Sequence, residues 1–464
     1  MEMKKYRILL FCALALVFVL GIAVGCLLNG NTTEEKTVKK GIRREKDKWS
    51  DRSEGISSTP TPTPAPTDTP DSKRTVTLWC DFVEGDYYRP GFERALSELK
   101  DKYPDIELRF EAFEYFTYRE KLNAAMKNDE LPDLFVGAGG YALDELSEYF
   151  SVFCLDEAYK QYADKLPESM FANASVNGHK YGVPFCFNTV TLFANTDLLK
   201  RVGYEDVPST FEELMDCCEK LKAAGITPFG CSLSETWCVM EYLEPLMLKC
   251  IGADALYRLF RKNPTWRNEG VSKAVDILRE MYEKGYFAIF SDDSYGNDWV
   301  KETFGEGKYA FYMNGSWNCG DLCIYEERYG NHFKVMEFPV IDSENAKPGQ
   351  YIGGPNDLIY VSRDAEDQEV LAEYAFELGQ LMSRYSYLNG CGLPAWEIDY
   401  DDSNVNHLAR EAARLAAEAD AFVGFGDTCM DPEKTDIYYD IVSEIITPGL
   451  TGEQFADRMR SEIR

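Results

Sequence analysis

The chain has 464 residues, 45% of them hydrophobic and 14% aromatic, so most of it can bury a core, and its length calls for two or three domains. The formal net charge is -30, and residues 73–464 alone hold 38 Lys/Arg against 70 Asp/Glu. A surface of that sign repels phosphate backbones and excludes nucleic acid as a partner.

Lys4, Lys5 and Arg7 precede an apolar run from Ile8 to Leu28. At about 1.5 Å per residue a helix of this run can cross a hydrocarbon layer of roughly 30 Å. The stretch Ile22-Ala23-Val24-Gly25-Cys26 resembles a bacterial lipobox, in which small residues admit a peptidase and the Cys26 thiol takes the lipid. The alternative is an uncleaved anchor, because Leu27 and Leu28 extend the run past Cys26. Eight Lys/Arg in residues 29–55 argue against export by the positive-inside rule. The Thr-Pro repeats of residues 57–71 cannot enter a helix or a central strand, so 29–73 reads as a disordered, extended tether.

Folding signals begin at Thr75. Strands are expected at 75–79, 106–110 and 134–136, alternating with helices at 92–99, 118–126 and 142–149; this βαβαβα order implies a mainly parallel sheet covered by helices. A strong strand follows at 189–194, then a helix over 210–223 whose Thr210 and Glu213 form a capping box. Further helices are expected at 236–250, 271–284, 300–306, 368–383, 409–419 and 437–446, and further strands at 309–313 and 358–361. Segments 334–339 and 351–352 lead into that last strand.

Catalytic motifs are missing. His179, His332 and His407 are far apart and none shows a metal-ligand spacing, so no metal site and no cofactor is expected. Gly137-Ala138-Gly139-Gly140-Tyr141-Ala142 matches a dinucleotide loop superficially, but it follows the third strand rather than the first. Its glycines allow backbone to approach a bound molecule, and the amides at a helix start can hold a hydroxyl or anion. Asp399 to Asn404 lacks the Gly and Glu of a calcium loop. Of the cysteines beyond the apolar run, Cys319 and Cys323 are the one local pair; the others read as buried small hydrophobes.

Aromatic residues sit beside polar turns at several strand ends: Trp79, Tyr115, Phe116, Trp237, Trp317 and Trp396. A sugar ring offers an apolar face to such a plate and a hydroxyl rim to Asp, Glu, Asn and backbone groups. Trp317 follows Asn314, Gly315 and Ser316, which brings these group types together within four residues.

The order and spacing of TVTLWCDF, KYPDIELRFEAF, YREKLNAAMKNDELPDLFVGAGG, the long stretch from GHKYGVPFCFN to AAGITPFG, FGEGKYAFYMNGSW and IGGPNDLIYVS resemble the extracellular solute-binding proteins, family 1, of bacterial ABC importers. The likeness spans about 74–464 and weakens after 400. It implies an α/β, two-lobed clamp of the periplasmic-binding type, with hinge crossovers and a ligand cleft between the lobes. Lobe one would comprise 74–184 plus 350–395, and lobe two 186–345 plus 400–464. By the family pattern the cleft is lined by Trp79, Asp81, Glu114, Gly139, Gly140, Asn188, Trp237, Trp317, Gly353, Gly354 and Asn356. Cys80, where relatives place an aromatic or His, departs from that pattern. The implied role is non-enzymatic capture of a mono- or oligosaccharide, delivered by a monomer to membrane permease subunits from the outer face of the cytoplasmic membrane. That implied placement favours export despite the charge rule. The competing accounts are a peptide or polyamine cargo, a sensor for a signalling partner, and a surface polysaccharide-active enzyme.

Overall fold

The computed structural model describes residues 73–463 apart from 149–150, 262–264, 291–294 and 447–448. The apolar run, Cys26 and the Thr-Pro tether lie outside the described residues. Among those described, no helix is long and apolar enough to cross a membrane.

Strand β1 (Arg74–Cys80) pairs in parallel with β2 (Ile106–Ala112) and with β3 (Leu134–Ala138). Helix Arg89–Lys102 runs between the first two strands and buries Phe92, Ala95 and Leu99, the apolar stripe of the sequence. A two-residue hairpin, β4 (Ser175–Val176) and β5 (His179–Lys180), then leads into β6 (Gly182–Asn195). This strand has 14 residues, more than twice the six expected, and every one is buried. Pro184 hid its first half from the sequence reading; the strand tolerates it beside a register shift in the pairing with β11 (Gln350–Val361).

The strands β7 (Thr227–Ser232), β8 (Phe287–Phe290), β9 (Tyr309–Gly315) and β10 (Phe333–Met336) build a second sheet region on β6. β7 and β8 were not expected. Pro228 and Gly230 break the strand signal of β7, and Gly230 is required because an added Cβ would lie 2.6 Å from the Tyr309 ring. Two short strands, β12 (Leu393–Pro394) and β13 (Ala421–Val423), join β6 and β11 respectively.

The whole path is β2-β1-β3-β11-β6-β9-β7-β8. The first half of β6 and the last half of β11 belong to the lobe-one sheet; the second half of β6 carries lobe two. The lobes are therefore two halves of shared strands, and the crossover lies where Gly353 and Gly354 face Thr189 and Asn188.

Helix Phe211–Ala223 starts as expected at Thr210, whose Oγ1 accepts from Glu213 N at 3.1 Å. The reciprocal half of the box is different: Glu213 Oε2 accepts from the N–H and hydroxyl of Ser209, each at 2.8 Å. Helix Gln368–Asn389 runs six residues past the expected end and stops at Gly390, in the left-handed conformation that ends many helices. All twelve described cysteines are unbridged, Cys319 and Cys323 included, and ten of them are buried.

Candidate functional site: the cleft between the lobes

The crossover is tied by a buried polar knot. Asn188, 4% exposed, receives the Ser316 hydroxyl on Oδ1 at 2.8 Å and donates from Nδ2 to the Tyr88 hydroxyl at 2.8 Å. Tyr88 in turn donates to Asp357 Oδ2 at 3.2 Å, and the Cys186 thiol lies 2.9 Å from the same hydroxyl. Ser316 also accepts from Thr189 N at 3.2 Å. One asparagine thus links lobe-one groups to the start of the Trp317 turn. Gly353 has φ +119 and an added Cβ would stand 2.1 Å from the Asn188 carbonyl oxygen, so only glycine lets the strands meet here.

Lobe one contributes an acidic floor. Burial, then the neighbouring Asp357, pushes the Asp81 carboxyl up to about 7. Burial likewise raises Asp86 to about 6, with Asp357 and Glu114 adding repulsion. Asp357 is itself raised by burial, against the hydrogen bonds from Cys186, Tyr88 and Asn188. Next to this floor Tyr87 is 45% exposed, edge-on to Tyr88 at 4.6 Å. Trp79 is half-buried, with the Lys121 ammonium 4.3 Å from its ring centroid and Phe113 edge-on at 5.8 Å. Glu114 is exposed at the start of helix Tyr115–Lys127, and Tyr115 is 44% exposed.

Lobe two supplies the opposite wall. Trp317 is half-buried on the turn Ser316–Asn318; its ring lies over Gly315, where a Cβ would be 2.1 Å away, and 6.1 Å from the Phe425 ring. Trp237 donates from Nε1 to Glu235 at 2.8 Å, and the other oxygen of Glu235 accepts from Asn297 N at 2.7 Å. Lobe two also brings three carboxyls close together. Glu244 accepts from Gly426 N at 3.1 Å and from the Tyr438 hydroxyl at 3.2 Å, and burial together with Asp427 raises it to about 8. Glu241 is 5% exposed, is raised by burial and by Glu244, and its Oε2 has no hydrogen-bond partner among the described residues. Asp427 accepts from Tyr439 at 2.9 Å and is raised by burial.

The two walls sense each other. Burial pulls the Arg119 guanidinium of lobe one down, but Tyr115 and, from lobe two, Asp427 and Tyr439 bring it above its ordinary value. At another point Arg261 of lobe two pairs with Asp144 of lobe one at 2.9 Å.

Ten of the eleven residues expected from the sequence fall in three groups. Trp79, Asp81, Glu114, Trp237 and Trp317 present exposed or half-buried side chains. Asn188, Gly353 and Gly354 form the crossover, and the Asn188 amide is already fully engaged. Gly139 and Gly140 spend their amides inside the protein, on Asn356 O at 3.1 Å and Asn173 O at 3.0 Å, so neither amide is left for a ligand. An added Cβ at Gly139 would sit 2.3 Å from Asn173 O, which makes this glycine a packing requirement. Asn356 is 9% exposed, with Oδ1 unpartnered among the described residues. Trp396 is core: 4% exposed, donating to Pro184 O at 2.7 Å. Cys80 is fully buried, its thiol pushed up to about 12 by burial.

Sequence reasoning missed Asp86, Tyr87, Arg119, Asp357 and Asp427. Asp86-Tyr87 carried a usable signal, an acid and an aromatic in the loop after Trp79. Asp427 and Arg119 carried none, because they meet only across the lobes. A separate concavity of about 530 Å³, bounded by residues such as Arg267, Lys273 and Asp457, lies on helices Glu269–Glu283 and Gly452–Glu462; among the described residues no aromatic ring lines it.

An α/β clamp whose strands cross between two lobes, with aromatics and carboxyls on both walls, is a ligand-capturing architecture. The sequence pattern of the bacterial extracellular solute-binding protein family matches residues 94–378, and the chain belongs to that family. It is 25% identical over 233 residues to the sn-glycerol-3-phosphate-binding periplasmic protein UgpB of Pectobacterium atrosepticum, covering 47% of this chain and 50% of that one. It is 25% identical over 271 residues to the galactooligosaccharide-binding protein of Bacillus subtilis, covering 55% and 59%. The chain spans about half the length of such relatives. Among solved structures, one from work on xylan utilization by Caldanaerobius polysaccharolyticus has a TM-score of 0.76 at 25% identity, over 84% of this chain and all of that one. A chitin oligosaccharide binding protein has a TM-score of 0.73 at 20% identity, over 84% and 98%, and shows the same fold.

Proposed function

We propose that this protein captures a carbohydrate between its lobes and delivers it to the permease of an ABC importer, without making or breaking a bond. The observation that carries the reading is the composition of the two walls: Trp79 and Tyr87 with Asp81, Asp86 and Glu114 on one side, Trp317 and Trp237 with Glu235 and Asp427 on the other. Aromatic plates suit the C–H face of a sugar, and carboxylates accept its hydroxyls. The names of the relatives and neighbours, several of which bind oligosaccharides, support the same cargo class. A ligand that touches both walls binds the closed arrangement better and shifts the population toward it. Anchoring through Cys26 or the apolar run would hold the clamp, as a monomer, at the outer face of the membrane, with the tether as spacer.

The convergence of Asp81, Asp86 and Asp357 favours a second reading, a cationic cargo such as a polyamine. The test is thermal unfolding of residues 73–464 with mono- and oligosaccharides, peptides and polyamines, since a ligand of the folded form raises the midpoint by mass action. A saturable rise with one sugar class, the sugar intact afterwards and affinity about tenfold weaker in Trp317→Ala, is expected. A rise with amines alone sinks the carbohydrate assignment, and consumption of the sugar sinks the non-enzymatic one.

A further inference from the structure

We propose that Cys323, Glu326 and His407 bind a divalent transition-metal ion of the Zn²⁺ class, at a surface site between helix Cys319–Tyr329 and helix His407–Ala417. Their donor atoms all lie within 4.8 Å of one another. Cys323 and Glu326 stand three residues apart, hence on one helix face. His407 opens the second helix, whose start is fixed by Asn406 Oδ1 accepting from Ala409 N at 2.8 Å.

The carboxylate is already oriented. Glu326 Oε1 accepts from Phe333 N at 2.6 Å, which leaves Oε2 aimed at His407 Nε2, also at 2.6 Å. Such outer hydrogen bonds are what hold metal ligands in place. A thiolate, an imidazole and a carboxylate form the donor set that favours Zn²⁺ over Ca²⁺ or Mg²⁺, which prefer all-oxygen sites. Three protein donors leave a fourth tetrahedral position for water. Bonds of about 2.0–2.3 Å place tetrahedral donors roughly 3.3–3.8 Å apart, so the His407–Glu326 contact must open by about 1 Å. The imidazole, 52% exposed, has room to do so. A net charge of -30 favours cation approach.

The site uses none of the residues named on the cleft walls and has a structural consequence. Gly320 N, at the head of the first helix, donates to Gly390 O at 2.9 Å, just past helix Gln368–Asn389. A bound ion would fasten this junction to the start of helix His407–Ala417. Cys154, Asp156 and His179 form a second group of similar make-up, but its carboxylate is more open, 32% exposed against 15% for Glu326.

The test is a Co²⁺ titration of the reduced full chain in mild detergent, carrying His179→Ala to silence the second group. The expected result is a near-ultraviolet thiolate-to-Co²⁺ charge-transfer band that saturates at one equivalent and is bleached by one equivalent of Zn²⁺. The band should vanish in Cys323→Ser, and affinity should fall about tenfold or more in His407→Ala. Circular dichroism verifies folding, and His407→Gln replaces His407→Ala should the latter fail to fold. Absence of the band in the His179→Ala chain overturns the proposal, as does a band left unchanged by Cys323→Ser or by the His407 substitution.

Discussion

Asp81 makes the cleft's acidity measurable through stability. Its carboxyl moves from 3.8 to about 7 on folding, first because it is buried and next because Asp357 repels its charge. The folded protein therefore holds this proton more tightly than the unfolded chain, and protonation favours folding. That contribution is complete below pH 3.8 and disappears as pH rises through about 7. At about 1.36 kcal/mol per unit the ceiling is roughly 4 kcal/mol, and the water-facing cleft lowers it to about 1–2 kcal/mol. Asp81 and Asp357 titrate as a pair, so the slope belongs to both. Asp81→Asn keeps the size and removes the charge. In urea unfolding of unliganded residues 73–464, the parent should lose stability from pH 5 to pH 8, and Asp81→Asn should lose about 1–2 kcal/mol less. Asp86 and Glu244, raised to about 6 and about 8, keep part of the slope in the variant. An Asp81→Asn protein whose pH dependence equals the parent's would refute the assignment of the floor as a repelling pair.

Asp144→Ala removes the interlobe pair with Arg261; a partly exposed pair of this kind contributes up to about 1 kcal/mol, so cargo affinity should weaken by up to about fivefold in calorimetry while the urea midpoint barely moves. Gly353→Ala forces a Cβ against the Asn188 carbonyl at a positive φ and should cost about 3 kcal/mol or more, read as a lower urea midpoint. Thiol labelling of the native protein followed by peptide mapping should, among the described cysteines, find Cys154 and Cys323 first, because the other ten are buried; early labelling of Cys186 would contradict the knot.

Local pattern carried much of this fold. The stripe of Phe92, Ala95 and Leu99 and the Thr210 cap dictated their helices, because spacing and capping act within a few residues. The order of strands and helices in 74–148 likewise imposed a parallel sheet, since short right-handed crossovers leave few alternatives. The aromatic loop residues Trp237 and Trp317 stood out for the same local reason. Tertiary structure decided what depends on distant partners. It made β6 and β11 single strands that pass from one lobe to the other, fixed by the approach of Gly353 to Asn188 across 165 positions of sequence. It turned Gly139 and Gly140 inward, where Asn173 and Asn356 take their amides. It also set Arg119 before Asp427, and His407 beside Cys323 and Glu326, pairings that no sequence spacing encodes because each joins segments that only the folded sheet brings together.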